Sequence, residues 1–346
     1  MAPKTRIHYV GDPDELPSRL KGIFSGARSL TVADENTSSI YSKYFSLLPD
    51  VVTPAGEGAK SLSALQHLWS RLLEGGFSRK DCLVAFGGGA ITDLAGLAAS
   101  TYKRGMRLLF IPTTLIGMID AAVGGKTAID FGEIKNSIGT FYPPDDVLIC
   151  PPLLSTLPDL ELLSGKGELL KYALLSGRDP EDFLSDESLP ETIRKCIEYK
   201  EAVVTEDLRD TGLRQVLNLG HTAGHALEAL HLLSGKGTTP VPHGIAVAAG
   251  LVIEAYLSFA KGLLHQEALM SLARFVREAF PSVSFRCGDY DRLWAFALQD
   301  KKNAGGGTDR IAVTLIEASG KPLTGQTIDP KIWDEALDFY KDFYGV

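Results

Sequence analysis

The chain has 346 residues, 45% of them hydrophobic and 23% charged, an ordinary balance for a globular protein with a large core. Lys and Arg number 35 against 43 Asp and Glu; the formal charge of −8 leaves no basic excess for a polyanion and argues against a nucleic-acid partner. The longest apolar run, "IAVAAGLVI" at 245–253, is far short of a membrane span, the opening residues lack a signal-peptide pattern, and Cys82, Cys150, Cys196 and Cys287 form no CxxC pair. The expected setting is the reducing cytoplasm, with no membrane partner.

In chain order, "RIHYV" (6–10), "SLTVAD" (29–34), "CLVAF" (82–86), "RLLFIPTT" (107–114) and "VLIC" (147–150) read as buried strands. Between them "SLSALQHLWSRLLEGG" and "ITDLAGLAASTY" have helical spacing, and the first stops at glycine. Strands alternating with helices predict a mostly parallel sheet with ligands at the carboxyl ends of its strands. From about Leu153 helical patterns take over, at 159–176, 190–206, 213–233, 243–262, 265–279 and 330–343, interrupted by the β-like "RIAVTLI" (310–316). The expected architecture is an α/β, Rossmann-like domain over 1–157 and a mainly α-helical domain over 158–346.

The turn "FGGGAITDLAG" (86–96) follows a strand and opens a helix. Gly87, Gly88 and Gly89 allow close backbone approach, and a helix start offers N–H groups to a phosphate. The turn does not match GxGxxG, and tight packing alone would also favour glycines there. "IPTTLIGMIDAAVGGKTAID" adds Thr113 and Thr114 at a strand end, then Asp120, then Lys126 after two glycines, and "EIKNSIG" adds Lys135 and Asn136. In the second half Glu168 and Lys171 stand three apart in "GKGELLKYALL", among glycines and aliphatic residues. His221 and His225 are four apart and so share a helix face, the spacing at which one helix offers two imidazoles to a metal. That spacing allows either a shared metal or two separate tasks. A glycine before each histidine, Asn218 one turn earlier and His243 at the start of an apolar helix favour a site. Glu plus two His would make a catalytic zinc centre with one open position.

With "GGGAITDLAGLAASTYKRG", "IPTTLIGMIDAAVGGKTAID", "KNSIGTFYPP", "GKGELLKYALL", "GLRQVLNLGHTAGHALE" and "HGIAVAAG" in this order, the chain resembles the 3-dehydroquinate synthase family of the sugar phosphate cyclase superfamily. The resemblance runs from "VADENT" to the "DKKN" near residue 300. It implies the fold of that family, catalytic NAD+, Zn2+ or Co2+, a small sugar phosphate substrate and a homodimer. It implies that NAD+ contacts Asp34, Asn36, Glu57, Lys60, Gly87, Gly88, Gly89, Asp93, Thr113, Thr114, Lys126, Lys135, Leu153, Leu154, Ser155 and Thr156. The metal would be held by Glu168, His221 and His243. Substrate would meet Arg104, Asp120, Lys126, Asn136, Lys171, Lys200, Arg214, Asn218, His225 and either Lys301 or Lys302. The implied reaction turns 3-deoxy-D-arabino-heptulosonate 7-phosphate into 3-dehydroquinate and phosphate, with no net redox change, in the shikimate pathway.

The chain departs from the family pattern at Ala121 and Ala122, where serines are common, and at Ile245, where an acid commonly follows "HG". Sister cyclases such as 2-deoxy-scyllo-inosose synthase share the implied cofactors, but Asp93, Lys126 in "VGGK" and Asn218 before "GHT" are closer to the dehydroquinate enzymes. A polyol dehydrogenase of the glycerol dehydrogenase type needs no such array of lysines and arginines. A non-catalytic metal-binding relative would gain nothing from the complete set.

Overall fold

A computed structural model describes residues 5–41, 50–132, 134–233, 240–299 and 310–346. By its internal contacts the chain divides into two compact units, Met1–Pro158 with Ile193–Leu208, and Asp159–Thr192 with Arg209–Val346. Residues 193–208, which a single boundary at 157/158 leaves in the second half, therefore count with the first unit.

The first unit runs β1 (Arg6–Tyr9), α1 (Leu16–Phe24), β2 (Ser29–Asp34), α2 (Glu35–Tyr41), β3 (Val51–Thr53), α3 (Leu62–Glu74), β4 (Cys82–Gly87), α4 (Gly89–Thr101), β5 (Arg107–Pro112), β6 (Lys126–Phe131), β7 (Ile134–Phe141) and β8 (Asp146–Ile149). Six strands form one parallel sheet in the order β1-β8-β5-β4-β2-β3. β4 and β8 are buried at every residue and β5 at all but its first, as continuous apolar runs require in a sheet covered on both faces. α3 shows how its helices are specified. Ser61 Oγ accepts the Ala64 N–H at 3.2 Å to cap it, Leu65, Leu68 and Leu72 form its buried stripe, and Gly75 ends it. Among the described residues β6 and β7 pair only with each other, as an antiparallel ribbon. Nothing in the sequence pattern marks this ribbon, because β7 is exposed along nearly its whole length and lacks apolar alternation.

The second unit contains α5 (Asp159–Ser176), α6 (Pro180–Phe183) and the start of α7 (Leu189–Glu206), then α8 (His221–Leu233), α9 (His243–Ala260), α10 (Gln266–Ala279), α11 (Tyr290–Gln299), the hairpin β9 (Ile311–Ala318) and β10 (Lys321–Ile328), and α12 (Pro330–Tyr344). α9 is apolar around its whole circumference; its 18 residues are long and apolar enough to cross a membrane, yet 78% of them are buried within the protein. It is the core helix of the unit, with α5, α8, α10 and α12 packed on it. The helical pattern over 213–233 is not one helix. A 3-10 turn (Leu213–Asn218) is followed by Gly220 at φ +77°, and α8 begins afresh at His221. The break has a tertiary cause: a Cβ on Gly220 would lie 2.7 Å from Leu251 Cγ on α9. β10 escapes sequence reading because Pro322 and Gly325 read as strand breakers.

α9 meets α5 and the start of α8 at glycines. A Cβ on Gly167 would collide with the carbonyl of Gly244, one on Gly244 with the carbonyl of Ser164, and one on Gly250 with the carbonyl of Gly220. Ser164 Oγ accepts the Gly244 N–H at 3.0 Å at the same crossing. α5 and α9 thus touch backbone to backbone, which sets Glu168 beside His243. Gly167→Ala should lower the stability of the second unit by about 1–3 kcal/mol, the usual cost of overpacking a full core, read as a lower urea midpoint. An unchanged midpoint would mean that the two helices can part freely.

Candidate active site

In the second unit α5 buries Glu168 and Lys171 together. Lys171 Nζ lies 2.5 Å from Glu168 Oε2, and the two side chains are 1% and 0% exposed. A buried pair of this kind persists only when its remaining polar atoms find partners. Glu168 Oε1 has His221 Nε2 at 3.3 Å, from the start of α8, and His243 Nε2 at 3.1 Å, from the start of α9. Each ring is oriented through its other nitrogen: His221 Nδ1 donates to the Leu219 carbonyl, and His243 Nδ1 to the Glu228 carboxylate, both at 3.1 Å.

With Nδ1–H so engaged, both Nε2 atoms face one carboxylate oxygen, so a proton or a metal cation must lie between nitrogen and oxygen. The His225 ring stands 5.2 Å from that of His221 and 5.6 Å from that of His243. Ligating atoms of the three imidazoles lie within 4.8 Å of one another. Two carboxylates, Glu168 and Glu228, against one lysine leave the cluster anionic while the rings are neutral. Burial opposes a charge on His243, but its hydrogen bonds to Glu168 and Glu228 prevail and push its pKa up to about 10. Burial also opposes ionised Glu168, yet Lys171 and His221 hold its carboxyl well below the usual range. A carboxylate oxygen with two or three imidazole nitrogens suits Zn2+ or Co2+. Arg214 is buried and Asn218 half-buried in the turn leading to α8. Glu228 is a residue that sequence reasoning passes over. It stands three positions after His225 and seven after His221, on the same face of α8, and that spacing is the signal that could have found it.

In the first unit the strand ends gather candidate residues. Asp34 closes β2, Gly87 closes β4, and Thr113 and Thr114 follow β5, so these residues come from adjacent strands at the carboxyl edge of the sheet. Thr113 N–H donates to the Gly87 carbonyl at 3.0 Å. α4 starts from Gly88 with no side chain capping it and no acid in its first turn, a start suited to a phosphate. A Cβ on Gly87 would lie 2.8 Å from Ile91 Cγ1 and 3.0 Å from Asp34 Oδ2, and one on Gly88 would lie 3.0 Å from Thr114 Cγ2. Only bare backbone fits this turn. Asp34 itself accepts the Thr37 N–H at 2.9 Å and Oγ1 at 2.8 Å. Asn36 and Glu57 are exposed; of the 3-10 turn Pro151–Thr156, Leu153 and Leu154 are buried and Ser155 and Thr156 exposed.

Lys60 is buried and ties α4 to the ribbon: Nζ pairs with Asp93 at 2.9 Å and donates to Asn136 Oδ1. Burial raises the Asp93 pKa to about 6 even beside that lysine. Asn136, at φ +52°, donates its N–H to Asp130 Oδ1 at 2.7 Å. Asp120 lies in a π-turn, Gly117–Ala121, where Lys200 Nζ donates to its carboxylate at 2.6 Å and its carbonyl at 2.5 Å. Lys126 and Lys135 are exposed on the ribbon, and Arg104 is exposed in a run of positive φ from Lys103 to Gly105. Lys301 and Lys302 lie outside the described residues.

Residues 50–164 match the family described as "3-dehydroquinate synthase N-terminal", and residues 165–303 the one described as "3-dehydroquinate synthase C-terminal". A 3-dehydroquinate synthase of Parabacteroides distasonis is 39% identical over 310 residues, covering 87% of this chain and 86% of that one. Another, of Alkaliphilus metalliredigens, is 34% identical and covers 90% of each chain. Among solved structures, 2-epi-5-epi-valiolone synthase from Streptomyces hygroscopicus with NAD+ and Zn2+ bound is 25% identical, with a TM-score of 0.82 over 99% of this chain and 98% of that one. A 2-deoxy-scyllo-inosose synthase complexed with carbaglucose-6-phosphate, NAD+ and Co2+ shares the fold at 24% identity, with a TM-score of 0.82 over 96% of this chain and 95% of that one.

Zn2+ at 100 times its dissociation constant should raise the stability of the protein by about 2.7 kcal/mol, since it binds only the folded cluster. His221→Ala should abolish the increase; a full increase in that variant would place the metal elsewhere.

Proposed function

The chain belongs to the 3-dehydroquinate synthase family, and we propose that it converts 3-deoxy-D-arabino-heptulosonate 7-phosphate into 3-dehydroquinate and phosphate, as a carbon–oxygen lyase of the shikimate pathway. The observation that carries this conclusion is the cluster of Glu168, Lys171, His221, His225 and His243, in which Glu168 and His243 meet across 75 residues of sequence. Glu168, His221 and His243 would hold the metal. Asp34, Gly87–Gly89, Thr113 and Thr114 would line NAD+, with Asn36, Glu57, Lys60, Asp93, Lys126, Lys135 and residues 153–156 completing its surroundings. When bound, NAD+ supplies a hydride acceptor that is restored within the turnover, and the metal supplies a Lewis acid for a substrate hydroxyl.

The remaining work falls to side chains. His225, the exposed ring among the three, takes the hydroxyl proton at an imidazole nitrogen. Arg104 and Arg214 grip carboxylate or phosphate in bidentate fashion, while Lys126, Lys171 and Lys200 act as point charges. Asn136 and Asn218 orient hydroxyls; Lys60 steadies the first of them through its amide oxygen, and Asp120 steadies Lys200. Cytoplasmic assembly as a homodimer is part of the same proposal. Exposed Phe131, Ile134, Ile138 and Phe141 on the ribbon are apolar surface that a second copy would cover.

A sister cyclase is the second possibility, favoured by the structural neighbours. Purified protein with Zn2+ and a catalytic amount of NAD+ should release phosphate from the heptulosonate phosphate without NADH accumulating. Phosphate release from sedoheptulose 7-phosphate or glucose 6-phosphate alone would assign the chain to a sister activity, and steady NADH formation from a polyol to a dehydrogenase. His225→Ala should keep its zinc and lose on the order of 100-fold or more in kcat.

A further inference from the structure

Helix α8 has a start that its own sequence cannot cap. The first four N–H groups of a helix lack internal partners, and a Ser, Thr, Asp or Asn at the N-cap usually serves one of them. Here the N-cap is Gly220, held at φ +77° with Leu251 and the Val247 carbonyl where a side chain would begin. The cap comes instead from α9. Glu254, 0% exposed, accepts the Gly220 N–H at 2.6 Å and the Ala223 N–H at 3.1 Å. Those are the N-cap and N3 positions, the two that a capping box satisfies from within one helix. One buried carboxylate thus does from a neighbouring helix what two side chains do locally, at the helix end where negative charge is favoured.

The same carboxylate reaches the metal cluster through a single peptide group. The N–H that Glu254 accepts and the Leu219 carbonyl that accepts His221 Nδ1–H belong to the one peptide between Leu219 and Gly220. If that plane turns, both bonds are lost and His221 Nε2 leaves its place 3.3 Å from Glu168. We infer that Glu254 is a positioning residue of the metal centre, fixing His221 through the Leu219–Gly220 peptide. The inference rests on the reading of Glu168, His221 and His243 as metal ligands.

The test measures Co2+ affinity by competition with a chelator, together with the visible Co2+ spectrum, in the wild type, Glu254→Gln and Val313→Ala. Gln keeps the size of Glu254, but its amide nitrogen must face one of the two N–H groups. Val313 is a buried β9 residue outside the cluster, and its truncation reports what lost packing alone does. Glu254→Gln should bind Co2+ about ten-fold more weakly with an altered spectrum, the scale on which partners of metal ligands act, while Val313→Ala keeps wild-type affinity and spectrum. Wild-type affinity and spectrum in Glu254→Gln, or the same loss in Val313→Ala, would overturn the inference. A wild type that binds no Co2+ would overturn the metal reading itself, and the inference with it.

Discussion

The second unit depends on how closely its helices can approach α9. Side chains at an ordinary helix crossing hold the axes 8–10 Å apart, with residues of one helix filling grooves of the other. At Gly167 and Gly244 no side chain intervenes, and backbone meets backbone. The residues next to those glycines, Glu168 and His243, are then close enough for a carboxylate oxygen to meet an imidazole nitrogen. Further along α9 the contact of Gly250 with the Gly220 carbonyl does the same for His221. α5, α8 and α9 deliver three polar side chains to one point because glycine stands where α5 and the start of α8 meet α9.

Such a point would be unstable if it were left to burial alone. A carboxylate removed from water needs compensating charge and hydrogen bonds, and Glu168 draws these from Lys171, His221 and His243. The outer partners Leu219, Glu228 and Glu254 then fix the rings and the helix start. The first unit follows a different logic. There the parallel sheet sets Asp34, Gly87 and Thr113 at neighbouring strand ends, and buried Lys60 ties α4 to the ribbon through Asp93 and Asn136. Backbone geometry does in one unit what charge compensation does in the other.

The parts legible in the sequence are those with local causes. β2, β4, β5 and β8 read as strands because a parallel strand buried on both faces must be apolar throughout. α5, α10 and α12 read as helices from their spacing, with Asp329 and Pro330 marking the start of α12, and α9 from its long apolar run. Features with tertiary causes are not legible in this way. The break before His221 is imposed by Leu251, some thirty residues later, and the local pattern runs straight through it. The ribbon β6–β7 is too exposed to leave a trace, although Lys126, Lys135 and Asn136 stand out by their chemistry. Glu228 and Glu254 are passed over because an acid on a helix is ordinarily a solvated group, and only the fold reveals what they hold. The juxtaposition of Glu168 with two histidines follows from family resemblance; spacing within one helix can suggest only His221 and His225.

The most direct measurement is anomalous diffraction at the zinc edge from crystals grown with Zn2+. The account predicts a single strong peak in the cluster, about 2.0–2.2 Å from a Glu168 carboxylate oxygen and from Nε2 of both His221 and His243, with His225 outside the coordination shell. A zinc ion bound by His225 in place of Glu168, or one lying away from the α5–α9 crossing, would contradict it.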